Sequence, residues 1–583
     1  MNDSNKEEYG MVSHNSANNH AGACQHASKE LAIPRVMGSD LSVISRLIIQ
    51  VTPPVVIVAL IAMVLKNPEG VADVIFDLRT YVTGGFTWLF ILYSVFAVAV
   101  CGWLVFSKVG KQVRLGGPAA KPEYSNFAWY SMLFACGQGV GLIFWSVAEP
   151  IMLRDDSPVV QAVEGDVAAG GIVWTYFHWG FTAWAMYCVV AVCLAYSHHN
   201  LGKTLTFREA TVDMLPPWAQ GPVGVGVELL AIMATVFGLS TSFAFAAMQF
   251  TSGLGSFTSI DGGASIWFLV ILALGLAAAI SAFFGISKGM KLISEANSIL
   301  SILLVVAAFV FGPTLFILSN ITQTFGSYFD HFISMSFWTD APSSAEPLSS
   351  WQQSWNGWWT VFIWCWVIAF SPFVAGFIAR ISRGRTLREF VVGVTVIPSL
   401  IVMIWIGVLG SAAIYYDDKT GRGISAAIGE NVSGGLFVML ESIPLVGSLL
   451  LVVATVLVAT YYVTSLDAGT YALAEFVSAP KRSGAWFRVA LVLSIGAVAT
   501  VLLTIGGSDV VDTVQTGTII GAFPFSIVIL IMIANMIKRL LGRDRSVKEL
   551  EKVVNNPDPK VALETDSNGD LRAVTSAEPV TNA

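Results

Sequence analysis

Charge is scarce in this 583-residue chain, because Asp, Glu, Lys and Arg make up 12% of it while apolar residues make up 55%. A soluble protein of this length carries about twice that charge, so the composition favours an integral membrane protein. Cysteine is also scarce, with six residues and no Cys-x-x-Cys pair. The sequence therefore predicts neither a disulfide framework nor a cysteine metal site.

Signals for several other classes of protein are missing as well. About the first 40 residues are polar and contain no hydrophobic region of a cleavable signal peptide. The sequence shows no metal-ligand cluster, nucleophile constellation or phosphate-binding loop, so we expect no enzyme activity and no cofactor. The net charge of −7 lies in loops and tails, and we expect no nucleic-acid partner.

Long apolar runs are what the sequence does contain, and runs of about 18 or more residues predict membrane-spanning helices. They lie at 45–65, 86–107, 127–147, 172–197, 226–252, 266–286, 294–318, 358–380, 390–415, 444–475, 486–506 and 516–538. We predict an all-α integral membrane protein with twelve transmembrane helices in one domain over 45–540. A disordered tail over 1–44 precedes this domain, and a tail over 541–583 follows it.

The charges in the loops predict the orientation of the chain in the membrane. The loop after the eighth run carries four arginines, namely Arg380, Arg383, Arg385 and Arg388. The loop after the third run leans acidic, with Asp155, Asp156, Glu164 and Asp166. Because basic loops stay inside, both termini are predicted to be cytoplasmic, in the inner membrane of a bacterium. The mixed segment Phe325–Trp338 fits either an interfacial helix on the outer surface or an ordinary loop.

Two of the runs contain helix-breaking residues. The third run contains Gly137-Gln138-Gly139-Val140-Gly141, and the eighth contains Ser371-Pro372. Alternate glycines weaken a helix and let a ligand approach the backbone, while proline removes a backbone hydrogen bond. Matching breaks in two halves of a chain indicate a transporter binding site, although glycines also serve close helix packing. We predict two inverted five-helix repeats, over 127–318 and 358–538.

Aromatic residues cluster in two of the runs. At about 100° per residue, one side of a continuous fourth helix carries Trp179, Trp184 and Tyr187. One side of the eighth run carries Trp366, Val367 and Phe370. Ring faces of this kind bind quaternary ammonium groups, and unwound backbone at Gly137–Gly141 offers N–H groups to a carboxylate. The two features predict a zwitterionic substrate, with ordinary helix packing as the alternative for both aromatic clusters.

The tenth run carries two adjacent hydroxyls, Thr464 and Ser465, followed by Asp467. Hydroxyl oxygens beside backbone carbonyls suit a monovalent cation such as sodium. The alternative is that these hydroxyls bond back to the preceding turn of their own helix. Asp467 is a functional candidate because it is ionisable within an apolar run, or it caps a local helix break.

Together these features resemble the betaine/carnitine/choline transporter family over about residues 45–540. The resemblance rests on Gly137 to Gly141, Phe177-His178-Trp179 with Trp184 and Tyr187, Trp364-Cys365-Trp366, Ser371-Pro372-Phe373, and the segment from Phe377 to Arg385. It implies the fold of sodium-coupled amino-acid transporters, alternating access, a homotrimer and substrates that are mostly onium zwitterions.

The resemblance also implies roles for individual residues. The family's aromatic box keeps Trp179, Trp184 and Tyr187 here, while a central tryptophan of the eighth run appears as Val367 and a neighbouring one as Phe370. This change opens the pocket and admits a bulkier onium or a sulfonium. One sodium site of the family is kept, at Ala135, Gln138, Thr464 and Ser465. A second keeps Thr235 and Phe373 but has Leu239 where a threonine is needed, so we expect one sodium.

The sequence thus predicts a secondary transporter that imports glycine betaine, dimethylsulfoniopropionate or a similar osmolyte with sodium. A carrier of carnitine, choline or another zwitterion, working by proton coupling or exchange, is the nearest alternative. A passive solute channel is a different class, although no ring of charges marks a pore.

Overall fold

The computed structural model describes residues 43–137, 139–160, 167–212, 215–258, 260, 262–284, 287–341, 354–478, 485–555, 561–565 and 571–575. The predicted tail over 1–44 lies almost entirely outside the described residues, as does Gln138. Within the described part, eleven helices are long and apolar enough to cross a membrane. The chain is therefore a multi-pass, mainly helical membrane protein. The count differs from twelve because the third apolar run is divided between two shorter helices.

The helices follow one another with short connections. Those of the first half are α1 Val43–Lys66, α2 Pro68–Phe106, α3 Lys108–Gln112, α4 Asn126–Gly137, α5 Val140–Met152, α6 Val167–Trp179, α7 Phe181–Leu201, α8 Phe207–Thr211, α9 Pro217–Gly255, α10 Ala264–Phe284 and α11 Ser287–Phe311. Those of the second half are α12 Thr314–Phe337, α13 Trp355–Trp358, α14 Thr360–Ile381, α15 Leu387–Lys419, α16 Gly423–Glu430, α17 Gly435–Glu441, α18 Gly447–Ser478, α19 Ala485–Ile505 and α20 Val510–Asn555. Two strands follow, β1 Val561–Thr565 and β2 Leu571–Thr575.

The glycine-rich segment of the third run interrupts the helix, as predicted. Helix α4 ends at Gly137 and α5 begins at Val140. Gly139 caps α5 with an extended backbone (φ −158°, ψ 174°) and without a side-chain hydrogen bond. The first N–H groups of α5 therefore have no helical acceptor.

The predicted interruption at Ser371-Pro372 is wrong. Helix α14 runs without a break from Thr360 to Ile381, with Pro372 inside it. The hydroxyl of Ser371 donates back to the carbonyl of Val367 at 2.9 Å. Proline costs a helix interior about 3 kcal/mol, and the packing of α14 against α7, α9 and α20 offsets that cost. The break near this helix lies instead before its start, between α13 and α14 at Trp359.

A second break, which the sequence did not predict, divides the fourth run at Gly180. Its backbone (φ −90°, ψ −131°) ends α6 and caps α7. A Cβ at this position would lie 2.5 Å from the carbonyl oxygen of Tyr176, so a larger residue is excluded. Hydrogen bonds from the N–H of Gly180 to the carbonyl of Tyr176 at 2.8 Å and from the N–H of Trp184 to the carbonyl of Gly180 at 3.2 Å continue the helical pattern across this bend. The predicted common side for Trp179, Trp184 and Tyr187 stays a prediction.

Helices α7 and α14 form the centre of the molecule. They pack against each other, and α15 packs against α4, α5, α6 and α7. The fully buried side chains in this region include Trp145, Trp174, Phe177 and Trp364. The aromatic residues of the fourth and eighth runs are thus placed in the interior, away from the surface that faces lipid.

Two further segments differ from the sequence predictions. Most of Phe325–Trp338 is helical, as the second part of α12, which rules out an ordinary loop there. Helix α20 continues to Asn555, well beyond the predicted end of the last run at 538. The antiparallel pair β1 and β2, with Val561 opposite Thr575, is a small departure from an all-helical chain.

The arginine-rich segment after α14 is bonded to the loop that precedes α4. The N–H of Leu115 donates to the carbonyl of Arg385, and the N–H of Gly384 donates to the carbonyl of Leu115, both at 2.9 Å. The guanidinium of Arg385 lies 4.6 Å from the ring centre of Trp129 and donates to the carbonyl of Tyr124 at 2.9 Å. This family-like segment therefore holds two loops together and lies outside the candidate site.

Candidate functional site

The break between α4 and α5 brings Gly141 against two tryptophans from other helices. A Cβ at Gly141 would lie 2.6 Å from Cη2 of Trp366 and 3.2 Å from Cη2 of Trp179. The two indoles meet edge to face, with centroids 5.6 Å apart and planes at 78°. Residues predicted from the third, fourth and eighth runs thus meet at one point, and glycine is needed there for the close approach.

Trp366 is the centre of the aromatic contacts on α14. Its ring stacks on Phe362 with centroids 5.4 Å apart, and it also contacts Phe245 of α9 at 5.6 Å and Phe370 at 6.3 Å. Trp366 and its neighbour Val367 are 5% and 7% exposed. Among the described residues, no group accepts a hydrogen bond from Nε1 of Trp366. A buried indole N–H without an acceptor is costly, and the buried indoles of Trp145, Trp364 and Trp405 share this feature. At Trp366 the N–H is a donor available to a ligand.

Trp184 and Tyr187 form a separate pair on α7, beyond the break at Gly180. Their ring centroids are 5.8 Å apart; Trp184 is buried and Tyr187 is half-buried. The described ring contacts therefore divide the predicted box into two pairs, Trp179 with Trp366 and Trp184 with Tyr187. A zwitterion touching both pairs would lie across the junction of α6 and α7.

The extended backbone of the break faces open space. A Cβ at Gly139 would meet no described atom within 4 Å. The N-terminus of α5 starts here, and a helix N-terminus attracts anions through its unpaired N–H groups and its dipole. Gly137 is the last residue of α4, and Gln138 between the two helices lies outside the described residues. The arrangement suits a carboxylate at the start of α5.

A buried acid that the sequence analysis did not single out lies beside the tryptophans. Glu149, on α5, is fully buried. One of its carboxylate oxygens accepts a hydrogen bond from Nε1 of Trp179 at 2.7 Å, and the other lies 2.6 Å from Nδ1 of His178. Nε2 of His178 lies 3.0 Å from the hydroxyl of Thr360 on α14. An ionisable residue within an apolar run is the signal that identifies such a group.

The residues predicted to bind sodium lie on two helices. Thr464 and Ser465 are on α18, which packs against α5. The hydroxyl of Thr464 donates to the carbonyls of Thr460 at 3.0 Å and Tyr461 at 3.2 Å. That back-bonding is the alternative expected from the sequence, and it leaves an oxygen lone pair on Thr464 for an ion. Ala135 is on α4, near its end at Gly137.

Leu239, which stands where the resemblance implies a threonine of a second sodium site, packs against α18. Leu239 is buried on α9, and its Cδ1 lies 2.7 Å from where a Cβ on Gly469 of α18 would be. The hydroxyl of Thr235 donates back to the carbonyl of Ala231 at 2.8 Å. Leucine methyl groups between α9 and α18 provide no oxygen ligand for a cation.

Comparison with known proteins gives the family. Residues 48–545 match the family described as BCCT, betaine/carnitine/choline family transporter. The glycine betaine transporter OpuD of Bacillus subtilis (strain 168) is 33% identical over 497 residues, which cover 85% of this chain and 94% of that protein. A probable glycine betaine transporter of Desulfitobacterium hafniense (strain Y51) is 34% identical over 483 residues, covering 81% and 93%.

A relative with a different named substrate is equally similar. The ectoine/hydroxyectoine transporter of Virgibacillus pantothenticus is 33% identical over 510 residues, which cover 85% of this chain and 96% of that protein. The family match over 48–545 extends over nearly all the apolar runs and includes the breaks at Gly139 and Gly180. This chain therefore belongs to the betaine/carnitine/choline transporter family, and it is a membrane transporter and not an enzyme.

Proposed function

We propose that this transporter imports a small zwitterion with an onium group, such as glycine betaine or dimethylsulfoniopropionate, by alternating access. The observation that carries the proposal is the meeting of Trp179 and Trp366 against Gly141 at a helix break. Aromatic faces attract a cation that cannot form hydrogen bonds, and the attraction is strongest when both are desolvated. This tryptophan pair, in which Trp366 is buried and Trp179 half-buried, lies beside a helix N-terminus and offers one group for each charge of a zwitterion.

In this proposal, the carboxylate of the substrate binds at the start of α5. Gly139 leaves the first N–H groups of that helix without a side-chain cap, and Nε1 of Trp366 has no acceptor among the described residues. Both kinds of donor suit a carboxylate. Trp184 and Tyr187 then provide further ring surface for the onium methyl groups.

The choice among onium zwitterions does not follow from the relatives. Similar proteins named for glycine betaine and for ectoine are both 33% identical to this chain. The pocket itself is more informative, because Val367 and Phe370 stand where the resemblance implies tryptophans. A missing ring face costs a bound cation about 0.5–2 kcal/mol. This loss favours a larger or softer onium, such as a sulfonium, over glycine betaine.

We propose one sodium ion as the coupling ion. Its ligands would be backbone oxygens of Ala135 and Gln138 and the hydroxyls of Thr464 and Ser465. The apolar contact of Leu239 with Gly469 supports a single ion, because leucine offers no oxygen ligand where the resemblance implies a threonine. Uptake should therefore depend on sodium with a Hill coefficient near one, and a coefficient near two would contradict the single site.

The rest of the architecture also belongs to the proposal. We place a homotrimer in the bacterial inner membrane, with both termini cytoplasmic and with 127–318 and 358–538 as inverted repeats. The packing of α7 on α14, and of α15 on α4 and α5, supports the repeats. Each is a contact between the second helix of one half and the first helix of the other, as a pseudo-two-fold relation requires. Cross-linking in native membranes, followed by measurement of the mass of the cross-linked product, tests the trimer.

The decisive experiment is uptake of labelled glycine betaine into cells that lack their own carriers, in sodium and then in potassium. Unlabelled carnitine, choline, ectoine and dimethylsulfoniopropionate serve as competitors. Concentrative, sodium-dependent uptake that Trp179→Leu or Trp184→Leu weakens would support the proposal. Flux that only equilibrates across the membrane would indicate a channel. Unchanged uptake in both variants, with the protein present in the membrane, would rule out the aromatic site.

A further inference from the structure

The two carboxylate oxygens of Glu149 contact two adjacent residues of α6. Oε2 accepts from the indole N–H of Trp179 at 2.7 Å, and Oε1 lies 2.6 Å from Nδ1 of His178. Glu149 and His178 are both fully buried. A buried acid in an apolar helix is kept only when its partners are in place and usually has a function. The question is what this acid does for the tryptophan to which it is bonded.

We propose that Glu149 is a positioning residue for the onium group, which fixes the indole of Trp179 and increases the electron density of its ring. This inference rests on the proposed function. An indole nitrogen only donates hydrogen bonds, and a hydrogen bond to an ionised acceptor is stronger than one to a neutral acceptor. Polarisation of the N–H toward a carboxylate increases the electron density of the ring, which is the property that attracts a cation.

The position of the indole supports the positioning role. Trp179 is held at both ends by α5, since Nε1 bonds Glu149 and Cη2 lies against Gly141. These two residues are eight positions apart, about 12 Å along a helix. The Glu149 side chain spans part of that distance because side chains lean toward the N-terminus of their helix. The indole therefore lies along α5, and a movement of α5 carries the ring with it.

The same hydrogen-bonded chain reaches the third helix of the site. Nε2 of His178 lies 3.0 Å from the hydroxyl of Thr360, in the first turn of α14. Trp366, the partner of Trp179, is on that helix two turns further along. Glu149 thus connects the three helices that bring Gly141, Trp179 and Trp366 together. A merely structural hydrogen bond would not need an ionised acceptor, and this difference can be tested.

Two other tryptophans provide the comparison within this chain. Trp174, also on α6, is fully buried and donates from Nε1 to the carbonyl of Pro158 at 2.7 Å. Nε1 of Trp366 has no acceptor among the described residues. Of these three indoles, only that of Trp179 bonds a carboxylate. Trp174→Phe is therefore the control for Trp179→Phe, because it removes an indole N–H of the same helix from a neutral acceptor. Trp174 is fully buried and Trp179 is half-buried.

The test measures uptake of labelled glycine betaine by Glu149→Gln, which keeps an oxygen acceptor for Trp179 but removes the charge. We expect the apparent KM to rise about tenfold, which corresponds to about 1.4 kcal/mol, with a smaller change in maximal rate. Inhibition by tert-butylacetate, which has carbon in place of the ammonium nitrogen of betaine, should change little.

Glu228→Gln is a control variant. It removes a buried carboxylate of α9 that accepts a hydrogen bond from the backbone N–H of Arg208, and it should leave the KM for betaine unchanged.

A double variant separates positioning from general damage. Trp179→Phe removes the donor, so adding Glu149→Gln to it should raise KM by much less than in the wild type. The inference would be overturned if Glu149→Gln weakened the binding of betaine and of tert-butylacetate equally. It would also be overturned if the effects of the two substitutions on KM were fully additive. If Glu149→Gln does not reach the membrane, Trp179→Phe decides: a KM no higher than that of Trp174→Phe would also overturn it.

The same experiment keeps the two proposals apart. No betaine uptake by the wild type, or an unchanged KM in Trp179→Leu, would mean that the proposed substrate or the aromatic site is wrong. A raised KM in Trp179→Leu with an unchanged KM in Glu149→Gln would leave the aromatic site standing and exclude only the role of Glu149.

Discussion

At the scale of single residues, Gly141 decides how closely α5 approaches the two tryptophans of the site. Its missing side chain leaves room for the Cη2 atoms of Trp366 and Trp179, which would lie 2.6 Å and 3.2 Å from a Cβ. Both rings belong to other helices, so a side chain here would push on α6 and α14 together. Close-packed protein interiors are strained by one extra methyl group because they contain few voids.

We predict that Gly141→Ala raises the apparent KM for substrate about tenfold, or about 1.4 kcal/mol. The added methyl group overlaps the edge of Trp366, and overpacking of a filled interior typically costs about 1–3 kcal/mol. Gly275→Ala is the matched control, since a Cβ at that glycine of α10 would meet nothing within 4 Å. Uptake kinetics of the two variants at equal membrane levels check the prediction. Equal KM values would show that the tryptophans move aside freely.

The proposed ion site makes a prediction about two hydroxyls of α18. Replacing Thr464 and Ser465 together by alanine removes two oxygen ligands, so the sodium concentration for half-maximal uptake should rise about tenfold. Thr460→Ala is the control, because that hydroxyl bonds back to Val456 one turn away. Uptake measured against sodium concentration, at fixed substrate, is the readout. An unchanged sodium dependence would place the ion elsewhere.

At the scale of elements, the two glycine breaks show why one was predicted and the other was not. Three glycines at alternate positions stand out in the third run, and α4 ends where they begin. Gly180 is a single glycine in an apolar run, a pattern that helices tolerate. The N–H of Gly180 still donates to the carbonyl of Tyr176 four residues earlier at 2.8 Å, as in a regular helix. A local pattern contains no information about such a bend.

The loop after α14 makes a prediction about stability. Gly384 has φ +81°, and its Cβ would lie 2.1 Å from the backbone carbon of Lys121; Gly117 has φ +92°, and a Cβ there would meet nothing within 4 Å. Alanine at either position costs roughly 1–3 kcal/mol of backbone strain. Only Gly384→Ala also forces the two loops apart. We expect it to lower the melting temperature more than Gly117→Ala does.

The melting temperature of the purified protein in detergent checks this difference. The apparent KM of the protein that remains folded should stay unchanged in both variants, because the loop lies outside the candidate site. Equal losses of stability would mean that the contact between the two loops contributes nothing beyond backbone strain. A raised KM in Gly384→Ala would connect the loop to transport.

At the scale of the whole molecule, the loop charges predict which ends of the helices face the cytoplasm. Alkaline phosphatase is active only outside the cytoplasm, so fusions that end at Asp156 or Asp340 should be active. Fusions at Lys203 and Arg545 should be inactive, because those loops are basic. A green fluorescent reporter at the same four positions should give the opposite pattern. Activity at Arg545 would invert the proposed orientation.

The sequence by itself determined the class of the protein, its family and one of its two helix breaks. The class and the break follow from composition, run length and a local glycine pattern, while the family follows from a resemblance in short motifs. It also named Trp179, Trp184, Tyr187 and Trp366, but not Phe245 or Phe362, which contact Trp366. It placed Trp179 on one side with Trp184 and Tyr187, which stays a prediction.

Only the tertiary structure decided which of these side chains touch. Trp179 of α6 meets Trp366 of α14 and Gly141 of α5, and it bonds Glu149, which is also on α5. The unbroken course of α14 through Pro372 was decided in the same way. The physical reason is that packing between helices offsets the local cost of a proline and brings together side chains from separate helices. Neither effect is present in a stretch of sequence taken alone.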